Sequence, residues 1–425
     1  MIEIYKNILS DFHNTGVPKV LNRELKVPIN SGKIISVIGV RRCGKTYYLY
    51  NLIKDLLNVI PINNIIYINF EDERISKESK DLQFMFDAYY ELYPETDNND
   101  IYIFFDEIQN IKGWEKFVRR IYDTISKNIF ITGSSSKLLS KEIATSLRGR
   151  AISYELYPLS FKEYLNFKGF DFSDINSTRK KAVIRKLFSE FLMKGGMPEV
   201  VNYEDEVYRK TLQSYLDVMI YRDIIERYNV KNPEILKHFI SRELLMIGNK
   251  ISVNKIYNEL KSQGIKLTKD TLYNYLTFAQ DCFLLFIVNK YQTKLRTSLS
   301  AEKKIYCIDN GFATNQSFKF TTDRGWLLEN LFHIELKRKY EEFYFYQDKS
   351  ECDFVIKKNN NISQAIQVTL TLNNANKERE YTGLIEAARL FKLNEGTIIT
   401  EYDEYTETIE EIKINVVPVW KWLLT

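Results

Sequence analysis

The sequence predicts a multidomain α/β protein whose first part is a parallel sheet covered on both faces. Three observations predict it. Residues 39–46 read Gly-Val-Arg-Arg-Cys-Gly-Lys-Thr, overlapping the end of the apolar run Ile34–Val40 and leading into a helical pattern. A second apolar run, Ile101–Phe105, delivers two acids, Asp106 and Glu107, at its end. Strands and helices alternate over the first 150 residues, and the alternation returns after about residue 303.

Taken in order, Ile34–Val40 is a buried strand and Thr46–Leu57 a helix. Ile65–Phe70, Ile101–Phe105 and Ile129–Thr132 are further strands, with a helix over Trp114–Ile125 between the last two. Continuous apolar runs of this kind suit strands buried on both faces. From about 160 to 250 the pattern turns helical: Phe161–Phe167, Lys180–Met193, Asp205–Tyr228 and Pro233–Met246, with Gly195-Gly-Met-Pro198 as a break. Beyond Lys303, strand signals at Ile305–Ile308, Phe343–Tyr346, Asp353–Ile356, Ala365–Thr371 and Thr397–Thr400 are interleaved with helices at Arg324–Tyr340 and Asn376–Phe391. Lys357–Asn361 reads as a hairpin turn. The expected boundaries are 1–158, 159–250, 251–300 and 301–425.

Composition narrows the class. With 425 residues, 44% hydrophobic and 27% charged, the chain has material for several buried cores and is neither disordered nor collagen-like. Lys and Arg number 60 against 56 Asp and Glu, a net +4 that excludes a polycationic coat. Apolar stretches are too short to span a bilayer, and Met1–Asn14 holds no apolar signal core. Four cysteines and three histidines are scattered, so neither zinc nor a disulfide framework is expected. A cytoplasmic location is expected.

Residues 39–46 match G-x-x-x-x-G-K-[ST] in the strand–loop–helix context that gives the motif meaning. Glycines let backbone amides curl around phosphate, and the helix N-terminus adds a favourable dipole. The expected nucleotide contacts are Gly39, Val40, Arg41, Arg42, Cys43, Gly44, Lys45, Thr46 and Tyr47, with ATP and Mg²⁺ as ligands. Lys45 would reach the β- and γ-phosphates, and Thr46 the magnesium. Asp106 would hold the ion through its water shell, and Glu107 would polarise the attacking water. Thr132 and Ser134, at the end of the next strand, would sense the γ-phosphate or serve as ordinary turn residues. Arg148 and Arg150 are candidates for transition-state charge, or plain surface arginines.

These motifs, with Ile68–Arg74, Phe105–Gln109, Tyr157–Leu165 and Gly195–Glu199, resemble the AAA+ ATPases of archaea and bacteria that carry a C-terminal domain of unknown function. The resemblance covers nearly the whole chain. It implies an AAA+ P-loop core and helical lid, with Asp106 and Glu107 as the Walker B pair. It further implies Thr132 or Ser134 as sensor 1, Arg148 or Arg150 as an arginine finger acting on a neighbouring subunit, and hence a homo-oligomer.

Residues 251–276 read as a helix–turn–helix opening a winged helix. Ser252 and Thr268 are N-caps, Ile256, Leu260, Leu272 and Leu276 form the apolar face, and Gly264 makes the turn. The second helix would present Lys269, Thr271, Tyr273 and Asn274. Residues 231–300 hold 11 Lys and Arg against 5 Asp and Glu, a local excess larger than that of the whole chain. DNA, including branched DNA, is the expected partner; a protein contact is the alternative.

The last domain resembles the restriction-endonuclease-like PD-(D/E)xK fold. Glu329 and Asp353 match its first acids, but its E-x-K segment reads Gln367-Val-Thr369 here. A neutral amide and a hydroxyl cannot supply the missing charges, so a degenerate site is expected, with an ATP-dependent nuclease as the alternative. Lys377 is the nearest downstream lysine that could have migrated into the site.

Overall fold

The computed structural model describes residues 1–97, 100–134, 147–173, 175, 177–292, 302–316 and 323–425. These divide into two units, Met1–Tyr157 and Pro158–Thr425.

In the first unit, helix α1 (Ile2–Thr15) precedes β1 (Ile34–Ile38), α2 (Lys45–Leu56), β2 (Ile65–Asn69), α3 (Gln83–Leu92), β3 (Tyr102–Asp106), α4 (Trp114–Thr124), β4 (Ile129–Gly133) and β5 (Ala151–Glu155). The five strands form one parallel sheet in the order β2-β3-β4-β1-β5. Strand β4 therefore stands between the strand that feeds the glycine loop and the strand that ends in acids. Strands β1 and β4 are buried throughout, as their unbroken apolar runs require. Edge strand β5, Ala-Ile-Ser-Tyr-Glu, is half exposed and escaped the apolar-run criterion. Helices α1 and α3 also carry no strong sequence signal; they pack together, and His13 Nε2 lies 2.8 Å from the Ile65 carbonyl.

The second unit opens with helices α5 (Phe161–Phe167), α6 (Thr178–Lys194), α7 (Asp205–Val218) and α8 (Pro233–Leu245). A capping box between Ser160 and Glu163 starts α5. Helix α7 runs on into an eight-residue π-helix, Met219–Glu226. Next come α9 (Val253–Ser262), α10 (Lys269–Asp281), β6 (Leu285–Asn289) and β7 (Lys303–Cys307), the two strands pairing antiparallel. Residues 248–251 add a third segment beside β7, through Gly248 N to Ile305 O at 2.8 Å and Ile251 N to Lys303 O at 2.9 Å.

Helices α11 (Asn310–Gln316) and α12 (Arg324–Lys339) lead to β8 (Glu342–Gln347), β9 (Glu351–Lys358), β10 (Asn361–Val368), α13 (Lys377–Leu390), β11 (Glu395–Thr400), β12 (Tyr405–Ile409), β13 (Ile412–Pro418) and α14 (Val419–Leu424). These strands form a mixed sheet ordered β12-β13-β11-β10-β9-β8. Its antiparallel arm is β8, β9 and β10, while β10, β11 and β13 run parallel. The turn between β9 and β10 has positive φ at Asn359 and Asn360, as a two-residue hairpin turn needs. Strand β12, at the sheet's edge, carries no apolar run, whereas β13 is buried at every second residue from Ile412 to Pro418. No helix among the described residues is long and apolar enough to cross a membrane.

Candidate active site

The first site lies at the carboxyl ends of β1, β3 and β4, where an open parallel sheet leaves room for a ligand. Strand β1 feeds the loop 39–44 and α2 begins at Lys45, so the free amides of its first turn face the loop. A Cβ on Gly39 would stand 2.2 Å from the Leu156 carbonyl oxygen, and Gly44 caps α2 at φ 97°. Lys45 Nζ donates to the Gly39 and Val40 carbonyls, each at 3.2 Å, and pairs with Glu107 Oε1 at 3.3 Å. Thr46 Oγ1 donates to Asp106 Oδ2 at 2.6 Å. The Thr132 hydroxyl donates to Asp106 Oδ1 and accepts the Glu107 backbone amide at 2.9 Å, so one side chain holds the first acid and the main chain of the second. Gln109 Nε2 donates to Glu107 and lies 3.4 Å from Ser134 Oγ. Glu107 has φ 51°, left-handed backbone that costs a non-glycine residue roughly 1 kcal/mol or more.

Electrostatics separate the two acids. Burial, then the neighbouring Glu107 charge, push Asp106 up. Burial also works to raise Glu107, but the Lys45 ammonium and the Gln109 amide outweigh it and hold that carboxyl below its usual range. Lys45 is the mirror case: burial works against its charge, and Glu107, with Cys43 and Asp106, more than restores it. The site thus holds an ionised glutamate and a charged lysine in contact, both buried.

Of the other loop residues, Val40 and Cys43 are buried, Arg41 pairs with Glu71 at 3.2 Å, Arg42 is exposed at φ 67°, and Tyr47 is 58% exposed on α2. Arg148 and Arg150 stand elsewhere. The Arg150 carbonyl accepts the Ile34 amide, at the start of β1, roughly 13 Å of strand away from the loop. Arg150 also pairs with Asp123 through two parallel hydrogen bonds, 3.0 and 3.1 Å, whereas Arg148 is exposed in a left-handed turn.

Three contributors were not assigned roles from sequence. Arg23, 6% exposed, donates from Nη1 to the Cys43 carbonyl at 3.0 Å and from Nη2 to the Tyr157 carbonyl at 2.6 Å. Tyr67 OH donates to Asp106 Oδ2 at 3.3 Å. Gln109, two residues past Glu107, was in view within the motif. Tyr67 could be found from register, since β2 pairs with β3 so that Asn69 faces Asp106. Arg23 has no local signal, because Tyr157 is 134 residues away.

In the second unit, Ser252 accepts the Lys255 amide and Thr268 the Thr271 amide, capping α9 and α10. Lys269, Tyr273 and Asn274 are exposed, while Thr271 is half-buried with its hydroxyl 3.0 Å from that of Thr268. Lys261 and Lys269 both lie over the Tyr257 ring.

In the C-terminal sheet, Glu329 on α12, Asp353 on β9 and Gln367 on β10 are buried close together. Lys304 Nζ, from β7, donates to Glu329 and Asp353 at 2.9 Å and pairs with Glu351 at 2.8 Å. Gln367 accepts the Asp353 amide at 3.2 Å and donates to Glu380. Thr369 accepts from Asn376 at 3.2 Å. Lys377 pairs instead with Glu407 at 3.2 Å, so the lysine among these acids is Lys304. No group of His, Cys, Asp and Glu side chains among the described residues is arranged to hold a metal ion. All four cysteines are buried and free.

Comparison with known proteins finds an AAA domain over the first unit. Residues 31–165 match an AAA domain and residues 185–323 a domain of unknown function (DUF8612). An uncharacterised protein of Methanocaldococcus jannaschii is 40% identical over 98% of this chain and 94% of its own length. One from Haemophilus influenzae is 32% identical over 92% and 94%. Among solved structures, a Walker-type ATPase of Pyrococcus abyssi aligns at 15% identity and a TM-score of 0.41, over 73% of this chain and 94% of that one. The Aeropyrum pernix ORC1 protein in complex with DNA aligns at 11% identity and a TM-score of 0.28, over 79% and 94%. The chain belongs to the same family as the M. jannaschii and H. influenzae proteins, with an AAA-type ATPase domain followed by DUF8612.

Proposed function

We propose that this ATPase binds DNA and couples nucleotide turnover to a conformational change. Lys45 transfers from Glu107 and two backbone carbonyls to the phosphates of ATP. Glu107, released, orients and polarises the attacking water, and Thr132 keeps the two acids in register. Thr46 and Asp106 fit a magnesium ion entering with the nucleotide, since a hydroxyl and a carboxylate 2.6 Å apart are the hard oxygen donors it takes. Arg148 is the better arginine-finger candidate, because Arg150 is engaged by Asp123 within its own chain. Either would act on a neighbouring subunit of a homo-oligomer.

The DNA assignment rests on one observation. Helices α9 and α10 and their turn expose Lys255, Lys261, Lys266 and Lys269, beside Tyr273 and Asn274. The β6–β7 hairpin and the segment 248–251 complete a winged-helix arrangement, so that domain extends to Cys307 rather than 300. We assign 1–158 to the AAA+ core, 159–250 to a helical lid and 308–425 to a nuclease-like domain. The order α12, β8, β9, β10, α13, β11 supports the last reading.

The test is ATP hydrolysis and binding with duplex, single-stranded and junction DNA. Binding should weaken with salt at a log–log slope of about −0.9 per phosphate contacted on duplex DNA. Absence of binding at low salt overturns the DNA reading and favours a regulatory ATPase whose helix–turn–helix contacts protein.

A further inference from the structure

The acids of the C-terminal sheet are arranged around a cation that the chain itself supplies. Lys304 is 3% exposed, and its ammonium faces three carboxylates from two elements: Glu329 on α12, Asp353 and Glu351 on β9. All three distances are 2.8–2.9 Å, so three carboxylate oxygens match the three N–H donors of the ammonium. Further donors reach these acids. Tyr306 OH donates to Glu329 Oε1 at 2.6 Å, and the Val368 amide donates to Asp353 Oδ2 at 3.0 Å. Lys250 Nζ lies 3.4 Å from Glu351 Oε2. Gln367, which stands where a nuclease would carry its second acid, has its amide tied to Glu380 and to the Asp353 backbone.

We propose that Lys304 is the resident cation of this cage, occupying the place a divalent ion would need and tying β7 to α12 and β9. A divalent ion requires these same oxygens, and it cannot share them with an ammonium in contact with all three. The cage therefore has a mechanical function in place of a hydrolytic one. Lys304 and Tyr306 both belong to the hairpin strand β7, and Glu329 and Asp353 to the C-terminal domain. The hairpin and the sheet are thus joined by buried charge, and breaking that joint would leave uncompensated carboxylates inside the protein.

The experiment uses the full-length chain without nucleotide, titrated with Mn²⁺ and followed by the electron paramagnetic resonance signal of free Mn²⁺ and by thermal melting. Wild type and Asp353→Asn should titrate alike, because no ion occupies the cage. Lys304→Met should melt lower, bind one additional Mn²⁺ with affinity roughly tenfold or more above wild type, and regain melting temperature on binding it. Adding Asp353→Asn to Lys304→Met should remove that gain. The proposal fails if wild type binds Mn²⁺, or cleaves DNA with Mn²⁺, in a way that Asp353→Asn abolishes. A folded Lys304→Met that gains no Mn²⁺ site also overturns it. Should Lys304→Met fail to fold, the wild type and Asp353→Asn pair still decides. These readouts require neither ATP nor DNA binding.

Discussion

Lys45 and Lys304 are both buried lysines, 3% and 4% exposed at the side chain, and both sit among acids close to strand ends. Their partners differ. Lys45 spends two contacts on neutral carbonyls and one, the longest at 3.3 Å, on Glu107. Lys304 faces three carboxylates at 2.8–2.9 Å. Neutral carbonyls give up an ammonium to an incoming phosphate at small cost, whereas three carboxylates, two of them buried, do not. Acids gathered around a lysine are therefore poor evidence of a working site. How firmly the lysine is already held distinguishes the exchangeable centre from the permanent one.

Substitution at the exchangeable centre should have the largest effect. Lys45→Ala should lose nucleotide binding, and Glu107→Gln should keep it while turnover falls by roughly 10²–10⁴-fold, read by fluorescent-nucleotide titration and phosphate release. An unchanged rate in Glu107→Gln would remove the water-polarising role. At the permanent centre the expected effect is on stability. Lys304→Met should destabilise the second unit by about 3–5 kcal/mol in denaturant melts, and Lys45→Met should cost less because most of its partners are neutral.

The two centres should also differ in the sign of their pH dependence. Glu107 is held below its usual range, so its contribution is present above the unfolded carboxyl value near 4.3 and is lost as pH falls through the lower folded value. Burial, opposed by Lys304, pushes Glu329 up to about 7. Stability from Glu329 is therefore greatest below about 4.3 and is lost as pH rises through about 7. Melting Glu329→Gln against wild type at pH 5 and 7.5 checks this: the wild type should lose ground to the variant at the higher pH. The smallest effect belongs to the surface. Lys266→Ala and Lys269→Ala should each reduce the log–log salt slope of DNA binding by about 1, with little change in ATP affinity.

The comparison also explains what could be read in advance. Strands β1, β3 and β4 announced themselves as unbroken apolar runs, and Asp106 and Glu107 followed one of them directly. Caps at Ser252 and Thr268 were equally local, since each contact spans three residues. Lys304 could not be found that way, because Glu329 lies 25 residues away and Asp353 49. The downstream lysine that proximity suggested, Lys377, points to Glu407 instead. Strands β5 and β12 were missed because an edge strand needs no continuous apolar run.

Arg23 bridges two distant parts of the first unit. One guanidinium grips the Cys43 carbonyl in the phosphate loop and the Tyr157 carbonyl, and Tyr157 is the last residue before the chain enters the second unit. The planar head of arginine presents its donors in a fixed fork, so the two carbonyls are held at a set separation. The point at which the polypeptide leaves the first unit is thereby tied to the loop 39–44 through a single guanidinium.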